Sequence, residues 1–486
     1  MREGGQAAVK TPLPEAYLPR RAPVSAWRQT GWRSLDRREG VRQGTLTEAQ
    51  GADPRALPAL SILPTPVPAP IPAVTGRALS MHTVNGILYV LTEANGAITL
   101  WVLRDGSWAT LSLDAVYPGQ PRTVLPFTYY NHPNDPLDTD RNYPMVLIFP
   151  DGYYIRPDQS KLEKYTICKN VDSELPYFTH ACTHLSRVFG VGEDRAYASD
   201  HNRVTEWQYD EPDNVSASHA WVTASQAGGE RHAGHFTAIV SFAGMLLAFK
   251  ERACYAIGGT KNPFRIRELL SVGTADARTV AQVGTDLFFC DREQVYRFDG
   301  GEVREIGAPL GITDFSGALG AAGRGLYYLY VPSCRKTFVY ASDTGAWSEL
   351  YPFTGNAILA MTSNGNGDCL FLDSEGSFYT TKESDAYSFS IKTSELIPDL
   401  PAPARLLRVR VTAKAEQGAS LSLSCCLSDG RTLPLATIEG DGRTLRQSVP
   451  VPAVADTAAS LHFTGNGKIS ITSLDLVTAE TATDGT

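Results

Sequence analysis

Two stretches decide the fold: Phe242 to Gly259, FAGMLLAFKERACYAIGG, and Gly284 to Ile306, GTDLFFCDREQVYRFDGGEVREI. Each joins two short runs of Leu, Val, Phe and Tyr through a charged or glycine-bearing turn, the pattern of a β-hairpin. The same theme appears in NGILYVLTEANGAITLWVLRDGSW (85–108), YPMVLIFPDGYYIRPD (143–158) and SRVFGVGEDRAYASDHNRVTEW (186–207). It appears again in GRGLYYLYVPSCRKTFVYASDTGAW (323–347) and GDCLFLDSEGSFYTT (367–381). The leading runs begin near Gly86, Met145, Arg187, Gly244, Gly284, Gly325 and Gly367, which lie 59, 42, 57, 40, 41 and 42 residues apart. Strands repeating every ~40–50 residues with no amphipathic helix between them predict a β-propeller over 78–385. Seven runs suggest seven blades. Six is the rival count, because either long gap has room for an inserted hairpin.

After the proline-rich IPDLPAPAR the pattern changes. RLLRVRVTAKAE, SLSLSCCLSDG, TLPLATIEG, LRQSVPVPA, ASLHFTGNG and KISITSLDLVTA alternate apolar and polar residues between Asp-Gly and Asn-Gly turns. Six short strands in this span predict a small C-terminal β-sandwich over 388–480. The fold class is therefore all-β: a six- or seven-bladed propeller, then a sandwich, with an extended N-terminal arm and connector over 1–77.

That arm is chemically unlike the rest. Residues 1–43 carry nine Lys/Arg against four acids, +5 on a chain whose 44 basic and 52 acidic residues total −8. Its large apolar groups, Tyr17, Leu18, Trp27, Trp32 and Leu35, are too scattered to make a core, so it is expected to dock on something. PTPVPAPIP (64–72) reads as a stiff extended spacer of about 28 Å, at about 3.1 Å per residue. The acidic total argues against a chain built to coat nucleic acid. The N-terminus has no signal-peptide pattern, and the longest apolar stretch, Phe236 to Phe249, is too short to span a bilayer. Eight cysteines in 486 residues do not make a disulfide scaffold, and the neighbours Cys425 and Cys426 are expected on opposite faces of a strand. Folding in a reducing compartment follows.

Chemical motifs are sparse. His180, Cys182 and His184 would share one face of a strand, but no fourth ligand accompanies them, and a strand on a blade surface is the preferred reading. His232 and His235 read as loop residues. The acidic stretch from Asn134 to Asn142 lacks the glycine and late glutamate of a calcium loop in register. Ser342 to Trp347, SDTGAW, is an imperfect Asp-box turn, which is structural in any case. No G-x-S-x-G, P-loop, dinucleotide fingerprint or H-E-x-x-H is present. No catalytic residue, cofactor or metal is expected.

One set of motifs goes further. Ser34-Leu35-Asp36-Arg37-Arg38 and Gly44-Thr45-Leu46, within WRSLDRREGVRQGTLTEAQGADPRALPAL (32–60), resemble a start that precedes the propeller in bacteriophage virion proteins. Ala52-Asp53 and Ser61 depart from that pattern. Ser186 to Trp207 and Ser241 to Gly307 are similar to successive blades of the same family, in the same order. The resemblance implies a tail or neck structural protein, of the hub, nozzle or stabilisation kind. It implies a homo-oligomeric ring below the portal, with other tail and neck proteins as partners and DNA passing through without specific binding. It implies no membrane contact, and a virion location after assembly in the host cytoplasm. In such a ring Tyr17, Trp27, Arg28, Trp32, Arg37 and Arg38 are the candidate interface residues, with the arm across a neighbouring subunit or ring; packing of the tryptophans on their own propeller is the equal alternative. The alternative function is a carbohydrate-binding or glycan-cleaving propeller used in host recognition.

Overall fold

A computed structural model describes residues 24–29, 31–38, 44–114, 119–129, 143–159, 161–167, 175–192, 195–202, 204, 207, 220–223, 234–260, 264–364, 366–382, 386–394, 404–427, 429–452 and 458–480. They contain no α-helix, only strands and three short 3-10 turns.

Seven four-stranded antiparallel units follow one another. Blade I is Arg77–Val84, Ile87–Ala94, Ala97–Arg104 and Ser107–Leu113. Blade II is Thr123–Tyr129, Tyr143–Phe149, Tyr153–Ile155 and Tyr165–Thr166. Blade III is His180–His184, Arg187–Val191, Arg195–Ala198 and Ala220–Thr223. Blade IV is Ala238–Phe242, Met245–Lys250, Ala253–Gly258 and Arg265–Leu270. Blade V is Ala281–Val283, Asp286–Cys290, Val295–Phe298 and Val303–Glu305. Blade VI is Leu319–Gly323, Leu326–Val331, Lys336–Ala341 and Ala346–Glu349. Blade VII takes Ile358–Ser363, Cys369–Asp373 and Phe378–Thr380 from the repeat and its outermost strand, Val67–Pro68, from the connector. The blade count is seven. All seven apolar runs of the sequence are second strands.

Each junction between neighbouring blades holds its own apolar cluster. Leu79, Leu91 and Val146 fill I–II, Phe149, Phe178 and Val188 fill II–III, and Phe189, Ile239 and Leu246 fill III–IV. Phe249, Phe289 and Phe298 fill IV–V, Tyr328, Val339 and Phe371 fill VI–VII, and Met81, Val90 and Leu372 join VII to I. At ~1.5–3 kcal/mol for each fully buried large apolar side chain, these wedges are what hold the ring of blades closed. Closure also needs a close approach at Gly376, which has φ +80° and where a Cβ would collide with the carbonyl oxygen of Val74.

The junction between blades V and VI differs, because its core does not stop there. Phe288, Tyr327, Phe338 and Trp347 are continuous with Trp32, Leu35, Leu46, Leu423, Phe463 and Leu474 of the following unit. That unit is a sandwich whose six expected C-terminal strands are all present. One sheet has the order Val24–Gln29, Ile469–Glu480, Ala404–Ala415, Thr444–Pro450. The other runs Leu46–Gln50, Ser388–Thr393, Ala458–Asn466, Ser420–Leu427, Thr432–Glu439, and is joined to blade VI where Gln50 pairs in parallel with Glu349.

The reading of 1–77 as an extended arm and connector is therefore corrected for its described part. Residues 24–29, 46–50 and 60–61 are sandwich strands and 67–68 closes blade VII. Scattered apolar residues cannot make a core alone, but they complete one that the C-terminal strands leave open.

Candidate functional site

Of the residues carrying the family resemblance, the N-terminal motif, Ser34 to Arg38 with Gly44 to Leu46, lies at the seam between propeller and sandwich. Leu35 and Leu46 are fully buried and bridge each other in parallel. The Leu35 amide donates to the Trp347 carbonyl at 2.9 Å, and the Trp347 amide donates to Ser34 Oγ at 2.8 Å. Asp36 receives the Arg38 guanidinium at 2.6 Å. Gly44 has φ +82°, where a Cβ would meet Gln29 and the Gly31 carbonyl.

At the centre of the seam is Glu349, whose side chain is 2% exposed. Arg37 Nη2 meets Oε2 at 2.6 Å, Lys336 Nζ lies 2.9 Å from Oε1, and Gln50 Nε2 donates to Oε1 at 3.0 Å. The Gly51 amide adds a bond to the Glu349 carbonyl at 2.7 Å. One buried carboxylate thus ties two N-terminal residues to two residues of blade VI. Removing one partner should cost less than the ~3–5 kcal/mol of a fully buried pair, because Arg37 and Lys336 are partly exposed and either one still faces the carboxylate when the other is gone.

The six candidate interface residues sort accordingly. Trp32 is 3% exposed, with its ring edge-on to Phe463 at 6.2 Å, so it packs on its own chain. Arg28 pairs with Asp475 at 2.6 Å, Arg37 with Glu349 and Arg38 with Asp36. The Trp27 backbone pairs with Leu476, and Tyr17 lies outside the described residues. Trp32 thus takes the alternative reading, packing on its own chain, and Arg37 is engaged by Glu349 of blade VI.

A second feature is the central channel, a cavity of about 370 Å³ lined by the first strands of all seven blades. Among the described residues no Asp or Glu lines it, whereas His82, His180, Arg122, Arg278 and Gln282 do. His82 Nε2 bonds the Arg122 carbonyl at 2.8 Å, and Arg122 is held by Asp151 at 2.7 Å in a fully buried pair. Burial pushes the His180 pKa down to about 4, and lowers that of His82 as well. Arg278 is engaged by Asp276 at 2.6 Å. At about 30 Å³ per water the cavity holds on the order of a dozen, so no duplex passes through it.

His180, Cys182 and His184 share a strand as expected, but diverge in use. His180 lines the channel, Cys182 packs against the blade III–IV cluster, and His184 Nδ1 meets Ser241 Oγ at 2.8 Å. Burial raises the Cys182 pKa to about 12, away from thiolate chemistry. Among the described residues, no group of three or more His, Cys, Asp or Glu is placed to hold a metal ion. His235 is exposed in a loop; His232 and the acidic stretch 134–142 lie outside the described residues. In SDTGAW, Trp347 is buried and donates to the Ile306 carbonyl at 2.6 Å, with Gly345 at φ +66°, a structural turn.

Sequence reasoning missed Glu349, Lys336 and His82, which sit in ordinary strand contexts and acquire their roles only through long-range pairing.

No family model matches the chain, and no curated protein matches it. Among solved structures, it is similar to a streptogramin B lyase, at 12% identity and a TM-score of 0.40 over 65% of this chain and 95% of that one. It is similar at 12% identity and a TM-score of 0.40 to virginiamycin B lyase from Staphylococcus aureus, over 63% of this chain and 94% of that one. The WD40 β-propeller domain of Doa1 matches at 12% identity and a TM-score of 0.41, over 66% and 98%. The class of protein, an all-β propeller, rests on this chain's own strand pairing; at these scores nothing about activity follows from the likenesses.

Proposed function

We propose that the chain is a structural component of a bacteriophage virion: a tail or neck hub, nozzle or adaptor subunit forming an oligomeric ring below the portal. The observation that supports this best is the seam. The motif that resembles the start of such virion proteins, Ser34 to Arg38 with Gly44 to Leu46, is the part of the chain that ties blade VI to the sandwich. A motif with that role makes one stiff block from two modules, which suits a subunit that must hold its shape in a ring. DNA would pass through the lumen between copies, since the propeller's own channel is far too small. In this reading the protein is no enzyme, needs no cofactor, contacts other tail and neck proteins and no membrane, and is incorporated into particles in the host cytoplasm.

The glycan-reading alternative calls for an exposed aromatic platform. Among the described residues the exposed large apolar side chain is Leu185, at 55%, and no aromatic joins it. The test is composition of purified particles by mass spectrometry, with antibody labelling by electron microscopy. The protein should be present in several copies per particle, with label at the tail or neck. Its absence from intact particles would overturn the proposal.

A further inference from the structure

The solvent face of one sandwich sheet carries a concentration of positive charge that the acidic chain as a whole conceals. Strand Ala404–Ala415 turns Val409, Val411 and Ala413 into the core and exposes Arg408, Arg410 and Lys414. On its neighbour Thr444–Pro450, exposed Arg446 stands opposite Thr412, Thr444 opposite Lys414, and Ser448 opposite Arg410. On the other side, Asp475 stands opposite Arg410 and Ser473 opposite Thr412. Asp475 is paired with Arg28 at 2.6 Å, and Glu416, two residues beyond Lys414, is paired with Lys468 at 3.4 Å. Arg408, Lys414 and Arg446 make no ion pair among the described residues.

Arg408, Arg410, Arg446 (beside Thr412) and Lys414 thus form a row, one cation per two-residue step, four over about 20 Å at ~3.4 Å per residue. Thr412, Thr444, Ser448 and Ser473 set hydroxyls between them. Of the further charges, Glu416 and Lys468 pair with each other at 3.4 Å and cancel, so the local excess stays positive and governs what binds within the ~8–10 Å screening length.

We propose that this face is a sequence-independent binding site for the phosphodiester backbone of duplex DNA. A polyanion with closely spaced charges matches a row of cations interleaved with hydroxyl donors. Phosphate contacts of this kind position a nucleic acid without reading bases, and the described residues of this face include no helix to enter a groove. The proposal stands without the virion reading, since it concerns the isolated full chain.

The experiment is fluorescence anisotropy of a labelled 30-bp duplex titrated with the full-length protein between 50 and 200 mM NaCl. With about four phosphates engaged, log K should fall against log salt with a slope of about −3 to −4. Arg446→Gln or Lys414→Gln alone should reduce the slope by about 1, close to an eightfold loss of affinity at 0.1 M salt. Arg408→Gln/Arg410→Gln/Lys414→Gln/Arg446→Gln together should abolish binding, while Arg431→Gln, on a turn between strands of the other sandwich sheet, should leave it unchanged. Circular dichroism and the unfolding midpoint check that each variant is folded; if the fourfold variant is not, the single variants decide. No binding at 50 mM salt, a slope unchanged in the single variants, or binding of an acidic protein surface in place of DNA would overturn the proposal.

Discussion

Replacing Trp32 by alanine tests whether the N-terminal segment belongs to the body of the protein. The side chain is 3% exposed, edge-on to Phe463, and its amide is bonded to the Pro58 carbonyl at 2.9 Å. Truncating a buried tryptophan costs ~3–5 kcal/mol in lost burial and cavity formation. Part returns, because the indole N–H is buried without a partner, and deleting such a group recovers ~1 kcal/mol. The net expectation is a loss of ~2–4 kcal/mol. Trp32→Phe keeps the contact with Phe463 and removes the orphaned N–H, so its cost should stay under ~1.5 kcal/mol. Urea unfolding followed by far-ultraviolet circular dichroism measures both. A Trp32→Ala protein within 0.5 kcal/mol of wild type, the size of a typical surface substitution, would refute the reasoning.

Other expectations follow from the same geometry. Gly376→Ala should destabilise by well over the ~1–2 kcal/mol of left-handed strain, since its Cβ would collide with Val74; Gly86→Ala, at a hairpin tip with φ +79° and open space around it, should cost only the strain. Calorimetry of the two variants separates them, and equal losses would show that the chain does not pass so close at Gly376. Among the seven described cysteines, all free, only Cys334 is exposed, and burial raises Cys290 to about 12 and Cys425 to about 11. Alkylation under native conditions, read by peptide mass spectrometry, should label Cys334 well before those two; rapid labelling of Cys290 would contradict the blade V–VI packing. Because burial holds His180 near 4 against 6.5, the unfolded chain binds its proton first as pH falls. Stability from this group is therefore full above about pH 6.5 and lost toward pH 4, by at most about 3.5 kcal/mol at ~1.4 kcal/mol per unit, less where channel water reaches the ring. His180→Gln should flatten that pH dependence, and an unchanged profile would place the effect on other groups.

The propeller was legible in the sequence because each blade is a local structure. Its strands are joined by short turns, so apolar runs at Gly244, Gly284, Gly325 and Gly367 report directly on second strands. The alternation in RLLRVRVTAKAE likewise gave the sandwich strand, and it also held the exposed Arg408, Arg410 and Lys414. What was not legible depends on partners far away in the chain. Val67–Pro68 looks like spacer because PTPVPAPIP is extended anyway; only pairing with Tyr379 and Thr380 makes it the last strand of blade VII. Trp32 and Leu35 look unsupported because the residues that cover them, Phe463 and Trp347, lie more than 300 positions away. Arg37 reads as part of a solvated basic arm until Glu349 is placed beside it.

The most direct test of the central claim, that the N-terminal segment is an integral clasp between propeller and sandwich, is native-state hydrogen exchange on the full-length chain. The amides of Trp32, Leu35 and Gly51, and the alternate amides of the edge strand Val24–Gln29 that bond the last strand, should be protected to the same free energy as Leu474 and Leu476 in the sandwich core. Exchange of these amides within seconds, while the blades and the C-terminal strands stay protected, would show a free arm and contradict the account.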